Sequence, residues 1–99
     1  MTFEEYVKRS NALSEELDKI PGYREWSNNA RASRRNEIAH AVNCKVSAEE
    51  LGLKNKFEKA WHEYLWKTAE LHNERYGDWP VFEMEEIESD DPKLDIYRD

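Results

Sequence analysis

The first segment of the chain has its inward-facing positions at alternating steps of three and four residues. They are Phe3, Tyr6, Ser10, Leu13, Leu17 and Ile20, with Val7 beside them. This spacing predicts an amphipathic helix with one buried stripe. Thr2 and Glu5 form a capping-box pattern at its start, in which each side chain satisfies a backbone N–H. Pro21 and Gly22 predict its end.

The next segment, residues 23–42, holds no Pro or Gly and has a thin apolar face. Its candidate buried positions are Tyr23, Trp26, Ala30, Ile38, Ala41 and Val42. We predict a helix here, and we expect a break near residues 27–29, because asparagine competes with the helix for backbone hydrogen bonds.

The strongest helical pattern covers residues 47–76. Ser47 and Glu50 repeat the capping-box spacing, and Gly77 occupies a C-cap position. Gly52 costs roughly 1 kcal/mol relative to Ala inside a helix, so it allows a kink or a separate short helix before Leu53. The predicted core face consists of Leu53, Phe57, Ala60, Trp61, Tyr64, Thr68 and Leu71.

Beyond Asp78 the pattern changes to a partial alternation over residues 81–87. A lone strand is unstable in water, so we predict an extended segment laid over the helices. The expected fold is all-α: a bundle of three to four helices with an irregular or extended acidic C-terminal segment. We predict one helical domain over residues 1–87 and an acidic tail over 88–99, mobile unless Leu94, Ile96 and Tyr97 dock.

Composition limits the class of protein. Twelve aromatic residues in 99 argue against simple disorder, since large aromatic side chains need a core or a partner to bury them. The sequence has no apolar run of the roughly 18–20 residues needed to span a bilayer and no signal-peptide pattern, so we expect a cytoplasmic protein. We expect Cys44, the single cysteine, to be a small buried residue.

Charge is distributed unevenly along the chain, whose net charge is −7. Residues 24–45 carry five basic and two acidic side chains, whereas residues 77–99 carry nine acidic and two basic ones. Acidic side chains at short intervals can imitate a phosphate backbone and occupy a basic groove. The alternative is a solvated tail that aids solubility.

Few residues suggest catalysis or metal binding. Glu37 and His40 have a spacing found in carboxylate-bridged metal sites, but such sites need a second copy, so we expect an ordinary polar helix face. His62 and His72 have no nucleophile or oxyanion partner nearby in sequence. Phosphate-binding loops and protease motifs are absent. We therefore predict no enzyme activity, no cofactor and no metal.

Trp66 lies about 180° around its helix from Phe57, on the polar side. A Trp there needs a reason: either the C-terminal segment covers it, or it anchors a partner as an interface hot spot. The candidate partner-binding residues are Trp66, Trp79, Glu63, Glu70, Asp78, Glu83, Glu85 and Glu86.

No motif identifies a family. In its small size, acidity and aromatic richness, the chain is similar in general character to phage-encoded inhibitors of nucleic-acid-handling or defence proteins, including anti-CRISPR proteins and DNA mimics. That similarity implies a viral, non-enzymatic inhibitor that binds a protein with a basic surface.

Two alternatives remain. The first is an RNA- or DNA-associated adaptor using the basic segment 24–45, although an anionic chain makes direct nucleic-acid binding unfavourable. Its candidate residues are Arg24, Arg31, Arg34 and Arg35. The simpler expectation is that these arginines pair with acids of the first helix or the tail.

The second alternative is a self-assembling structural protein, such as a homodimer, in which the basic middle of one copy meets the acidic tail of another.

Overall fold

The computed structural model of the chain describes residues 1–20, 22–23 and 29–85, and for 29–31 it describes the backbone alone. Helices are the regular structure of these residues, and no strand occurs among them. In chain order the α-helices are α1 Phe3–Asp18, α2 Asn29–Asn43, α3 Ala48–Leu51 and α4 Lys56–Tyr76. The predicted all-α class is confirmed. The tail predicted at 88–99 lies outside the described residues.

The caps predicted from local patterns are present. Thr2 Oγ1 accepts from the N–H of Glu5 and Glu5 Oε2 accepts from the N–H of Thr2, both at 3.2 Å, which completes the capping box of α1. Ser47 Oγ accepts from the N–H of Glu50 at 3.1 Å. Gly77 ends α4 in the left-handed conformation with φ 79°. Each N-cap of this kind stabilises its helix by about 1 kcal/mol.

The chain separates α3 from α4 at Gly52. This residue adopts φ 75° and caps α3, so a short separate helix, rather than a kink, precedes Leu53. A new cap then starts α4: Asn55 Oδ1 accepts from the N–H of Phe57 at 2.8 Å and from that of Glu58 at 3.4 Å. α2 likewise begins at Asn29, inside the break expected at residues 27–29.

α4 is the central helix, and α1, α2 and α3 all pack against it. Its contact with α2 holds the main apolar cluster, in which Ile38 and Val42 are fully buried. Burial of one such side chain is worth about 1.5–3 kcal/mol. The cluster consists of Ile38, Ala39, Val42, Leu53, Leu65 and Ala69.

The core face predicted for α4 is only partly correct. Leu53 and Leu71 are buried, whereas the other five predicted positions are half-buried. The buried residues of α4 are His62, Leu65, Ala69 and Leu71. Since α4 has neighbours on more than one side, its buried surface is broader than one stripe, and its contact with α2 extends around the helix beyond the predicted face.

α1 is attached by fewer buried side chains than predicted. Leu17 is buried, but Phe3 is 60% exposed and does not belong to the core. Tyr6, Ser10, Leu13 and Ile20 are half-buried. The guanidinium of Arg75 lies 5.3 Å from the centre of the Phe3 ring, so the exposed ring makes a cation–π contact at the surface.

Candidate functional site

An open groove of about 570 Å³ lies between α3 and α4. Leu53 and His62, both buried, form part of its lining, and Trp66 borders it. Charged residues surround these apolar and aromatic groups. They are Glu49, Lys59, Glu63, Lys67 and Glu70. An apolar and aromatic centre with a polar rim is typical of a protein–protein interface.

His62 is fixed in the groove by two interactions. Its Nε2 lies 2.8 Å from the carbonyl oxygen of Val46, and because a carbonyl only accepts, Nε2 carries the hydrogen of this bond. Its ring stacks on Trp66 with ring centres 5.6 Å apart. The imidazole therefore links the loop before α3 to α4, which accounts for the burial of a polar residue.

Trp66 is half-buried and has a defined orientation. Besides the stack on His62, its edge meets Trp79 with ring centres 5.2 Å apart, and its Nε1 donates to Glu70 Oε1 at 2.8 Å. The C-terminal segment thus covers one side of Trp66, which was the first of the two explanations considered for a Trp at this position. The indole also borders the groove, so part of it remains accessible.

The carboxylates along the groove differ in their partners. Glu63 Oε1 lies 3.0 Å from Lys67 Nζ, and this hydrogen-bonded ion pair raises the pKa of Lys67 above its usual value. Both side chains are about half exposed or more, so the pair contributes little to stability. Glu70 holds the Trp66 indole. Together with Trp66 and Trp79, these two predicted carboxylates form one surface.

Residues 79–85, which we call the strap, cross α2 without regular secondary structure. Trp79 Nε1 donates to the carbonyl oxygen of Val42 at 2.8 Å, and Phe82 packs against the main apolar cluster. Lys45 Nζ lies 5.1 Å from the centre of the Trp79 ring. A segment laid over the helices was predicted for residues 81–87, and residues 81–85, the part of that range which the structure describes, do lie on α2 without regular secondary structure.

Two asparagines of α2 bind the main chain of the strap. Asn43 Nδ2 donates to the carbonyl of Phe82 at 3.1 Å, and Asn43 Oδ1 accepts from its N–H at 2.7 Å. Asn36 makes the same pair of bonds with Glu85, at 3.1 and 2.7 Å. We call these the asparagine clasps. They satisfy the backbone N–H and C=O groups of Phe82 and Glu85 without a strand partner.

Two of the arginines proposed for nucleic-acid binding, Arg34 and Arg35, have described side chains, and both bind carboxylates of this chain. Arg35 binds Glu85 Oε2 through Nε and Nη2, each at 2.7 Å. Arg34 binds Glu58 at 2.9 and 3.2 Å and Glu37 at 2.5 Å, and these carboxylates, Glu58 first, raise its pKa. The predicted pairing with the acidic C-terminal segment is therefore correct for Arg35. For Arg34 the prediction was wrong, because this arginine pairs with α4 and with its own helix.

The remaining candidate residues lie apart from the groove or outside the described part. Glu83 is exposed on the strap, and Asp78 is exposed with its carbonyl oxygen 3.2 Å from His72 Nδ1. Glu85 is occupied by Arg35. The side chains of Arg24, Arg31 and Glu86 are not among those described.

The expectation for Cys44 was wrong. It is exposed directly after α2, which ends at Asn43, and its Sγ lies 3.8 Å from His40 Nε2. Glu37 pairs with Arg34 and not with His40. Within the described ranges, no three His, Cys, Asp or Glu side chains lie close enough together to hold a metal ion.

Sequence reasoning missed Asn36 and Asn43. Their separation of seven residues places both on one side of α2, which is a visible signal, but the groups that they bind are main-chain atoms. It also missed the depth at which His62 is buried, since the bond to Val46 depends on the loop path.

Comparisons with known proteins give no relative: no protein-family model matches the chain, and neither a curated protein nor a solved structure does so. Among the helices of the described segments, none has the length and apolar character needed to cross a bilayer.

Proposed function

We propose that this protein is a small non-enzymatic binding module that receives a protein partner with a basic surface in the groove between α3 and α4. One observation carries this proposal: Trp66 borders the open groove, and its indole is held in one orientation by Glu70. Trp is enriched at the centres of protein interfaces, where it accounts for a large share of the affinity.

Preorganisation supports this role. Stacking on His62, the edge contact with Trp79 and the bond to Glu70 already restrict the indole before any partner arrives. Ordering a side chain on binding costs about 0.5–1.5 kcal/mol, and a side chain held in advance avoids much of that cost.

Charge supports a basic partner. The groove carries three carboxylates, Glu49, Glu63 and Glu70, and two ammonium groups, of which Lys67 is paired with Glu63. The chain as a whole has a net charge of −7. Such a charge speeds association with basic proteins and disfavours acidic ones, and the effect weakens as salt rises.

The sharper form of the proposal is an inhibitor, of the phage anti-defence or anti-CRISPR type, that blocks the nucleic-acid site of its partner as a DNA mimic. Glu63 and Glu70 are two helical turns apart, about 10 Å along α4, so their carboxylates lie on one face of that helix. Glu85 is bound by Arg35, so the groove margin, and not the strap, carries this proposal.

Direct nucleic-acid binding is the weaker proposal, because Arg34 and Arg35 already bind carboxylates of the chain. Removing these arginines from their partners would leave Glu58 and Glu85 unpaired, which adds to the cost of reaching a phosphate.

A charge-reversal experiment tests the groove. The double variant Glu49→Lys, Glu63→Lys changes the groove margin, and Glu15→Lys, Asp18→Lys on α1 changes the net charge equally at exposed positions outside it. Partners captured from cells of the source organism are identified with the unmodified chain, and affinity is then measured with purified partner. We expect a loss of about tenfold or more for the groove variant, equivalent to about 1.4 kcal/mol, and much less for the α1 variant.

Equal affinity of the two variants would contradict the groove as the binding surface. The mimic form has its own test, in which the partner's nucleic acid competes with the chain. Simultaneous binding of both to the partner would exclude a DNA mimic while leaving the groove proposal intact.

A further inference from the structure

Three residues of the strap are bound at intervals of three. Trp79 donates to Val42, Phe82 packs in the apolar cluster, and Glu85 pairs with Arg35. Between them, Glu83 and Met84 are exposed. An extended chain with three residues per turn places every third side chain on the same side, so this periodicity matches one contacting face of the strap.

The asparagine clasps set the register independently of side-chain identity. Asn36 and Asn43 are seven residues apart on α2, which corresponds to about 10.5 Å of helix rise. Phe82 and Glu85 are three residues apart, and three extended residues span about 10 Å. Because the two lengths agree, both amides reach main-chain N–H and C=O groups at once, with bonds of 2.7 and 3.1 Å in each clasp.

Arg35 adds a requirement for charge. Its side chain is 9% exposed beneath the strap, and both of its bonding nitrogens meet the same Glu85 oxygen. A segment without a carboxylate at this position would leave a buried guanidinium unpaired, which is strongly unfavourable. The face of α2 thus contacts an aromatic residue, a second aromatic three positions later and a carboxylate three positions after that.

We infer that this face of α2 is a recognition site for extended segments with that spacing, and that the strap of a second copy of this chain can occupy it. Every contact made by residues 79–85 is available equally when the segment comes from another copy, which is why segment exchange is a low-cost route to dimers. Only Gly77 and Asp78 connect α4 to the strap, and Gly77 provides a left-handed turn with open space around it.

The strap of the same chain has the advantage of proximity. A short tether gives an effective concentration in the millimolar range, so the unmodified chain remains monomeric at micromolar concentration. Exchange between copies becomes measurable when two different variants are mixed and, in each of them, the contact between the chain's own strap and its own α2 face is weakened.

Two full-length variants achieve this. Phe82→Ala, Glu85→Gln weakens the strap and leaves the α2 face intact, whereas Asn36→Ala, Asn43→Ala weakens the face and leaves the strap intact. Neither should dimerise alone. Mixed in equal amounts, the first supplies an available face and the second an available strap, so we expect a one-to-one complex with twice the monomer mass by light scattering and native mass spectrometry.

The matched control combines all four substitutions in one chain, which removes both elements, and this chain should form no complex with either double variant. If the two double variants keep their helical circular dichroism and their mixture still has monomer mass, the strap acts only within its own chain and the inference is wrong.

If either double variant loses its helical signal, the unmodified chain provides the test. The chain is labelled with ¹⁵N, and an unlabelled peptide of residues 78–86 is added until the peptide reaches millimolar concentration. The amide signals of Phe82 and Glu85 should move as the internal strap is displaced, and a peptide carrying Phe82→Ala should have at least about tenfold less effect. Signals that do not move would overturn the inference. Neither experiment substitutes a residue that lines the groove, and both read out strap exchange and not partner binding, so the outcome is separate from that of the proposed binding function.

Discussion

Replacement of Asn43 by alanine gives the sharpest test of how the strap is held. The substitution removes two part-buried hydrogen bonds, to the carbonyl and to the N–H of Phe82. A hydrogen bond contributes about 1 kcal/mol net, so we expect a loss of about 2 kcal/mol in the free energy of unfolding. For a domain of this size that corresponds to a decrease in Tm of about 8–16 °C.

Asn36→Ala is the matched comparison. It removes the same two kinds of bond, to Glu85, but this clasp is exposed, so water replaces much of what is lost. We expect a cost of about 1 kcal/mol or less. Alanine favours the helix over asparagine by up to about 0.7 kcal/mol at either site, so the difference between the two variants is the more informative quantity.

Urea denaturation followed by circular dichroism measures both free energies, and the two variants should share the slope of the unmodified chain. Asn43→Ala should be the less stable by about 1 kcal/mol. A cost for Asn36→Ala equal to or above that of Asn43→Ala would refute the reasoning, because burial would then not govern the strength of the clasps.

Three further predictions concern the rest of the fold. Gly77→Ala forces an L-residue into φ 79° and should cost about 1–2 kcal/mol, measurable as a lower Tm. Leu65→Ala should cost about 2–5 kcal/mol in urea denaturation, against less than about 0.5 for Phe3→Ala, which is 60% exposed. Glu63→Gln should lower the pKa of Lys67 back toward 10.5 in an NMR titration. Since that pKa is raised in the folded chain, the small stabilisation by this pair is present at neutral pH and is lost only as pH rises through it.

The sequence predicted the helices well because their signals are local. The Thr2 capping box and the Gly77 cap each depend on residues within one turn, and both are present. Burial was predicted less well, because it depends on how many neighbours a helix has. Leu65 was missed since the contact of α4 with α2 extends around the helix beyond the predicted face, whose Phe57 and Trp61 pack against the same cluster.

The candidate site shows the same distinction. Glu63, Trp66 and Glu70 share one helix, so their proximity followed from spacing alone. The pairing of Arg35 with Glu85 joins residues 50 positions apart and depends on the path of the strap. The clasps were missed for a different reason: the seven-residue spacing of the two asparagines is visible, but the main-chain groups that they bind are identical at every residue and leave no pattern in the sequence.

The attachment of α1 through one buried apolar side chain has a consequence for how the molecule opens. Leu17 is the buried residue of this helix, whereas α2 contributes Ile38, Ala39 and Val42 to the central cluster. Cooperative units with little buried apolar surface separate first, so α1 should detach while α2 and α4 stay together. Amide hydrogens of α1 should therefore exchange with deuterium sooner than those of α2, and proteases should cut there before they reach the rest of the described fold.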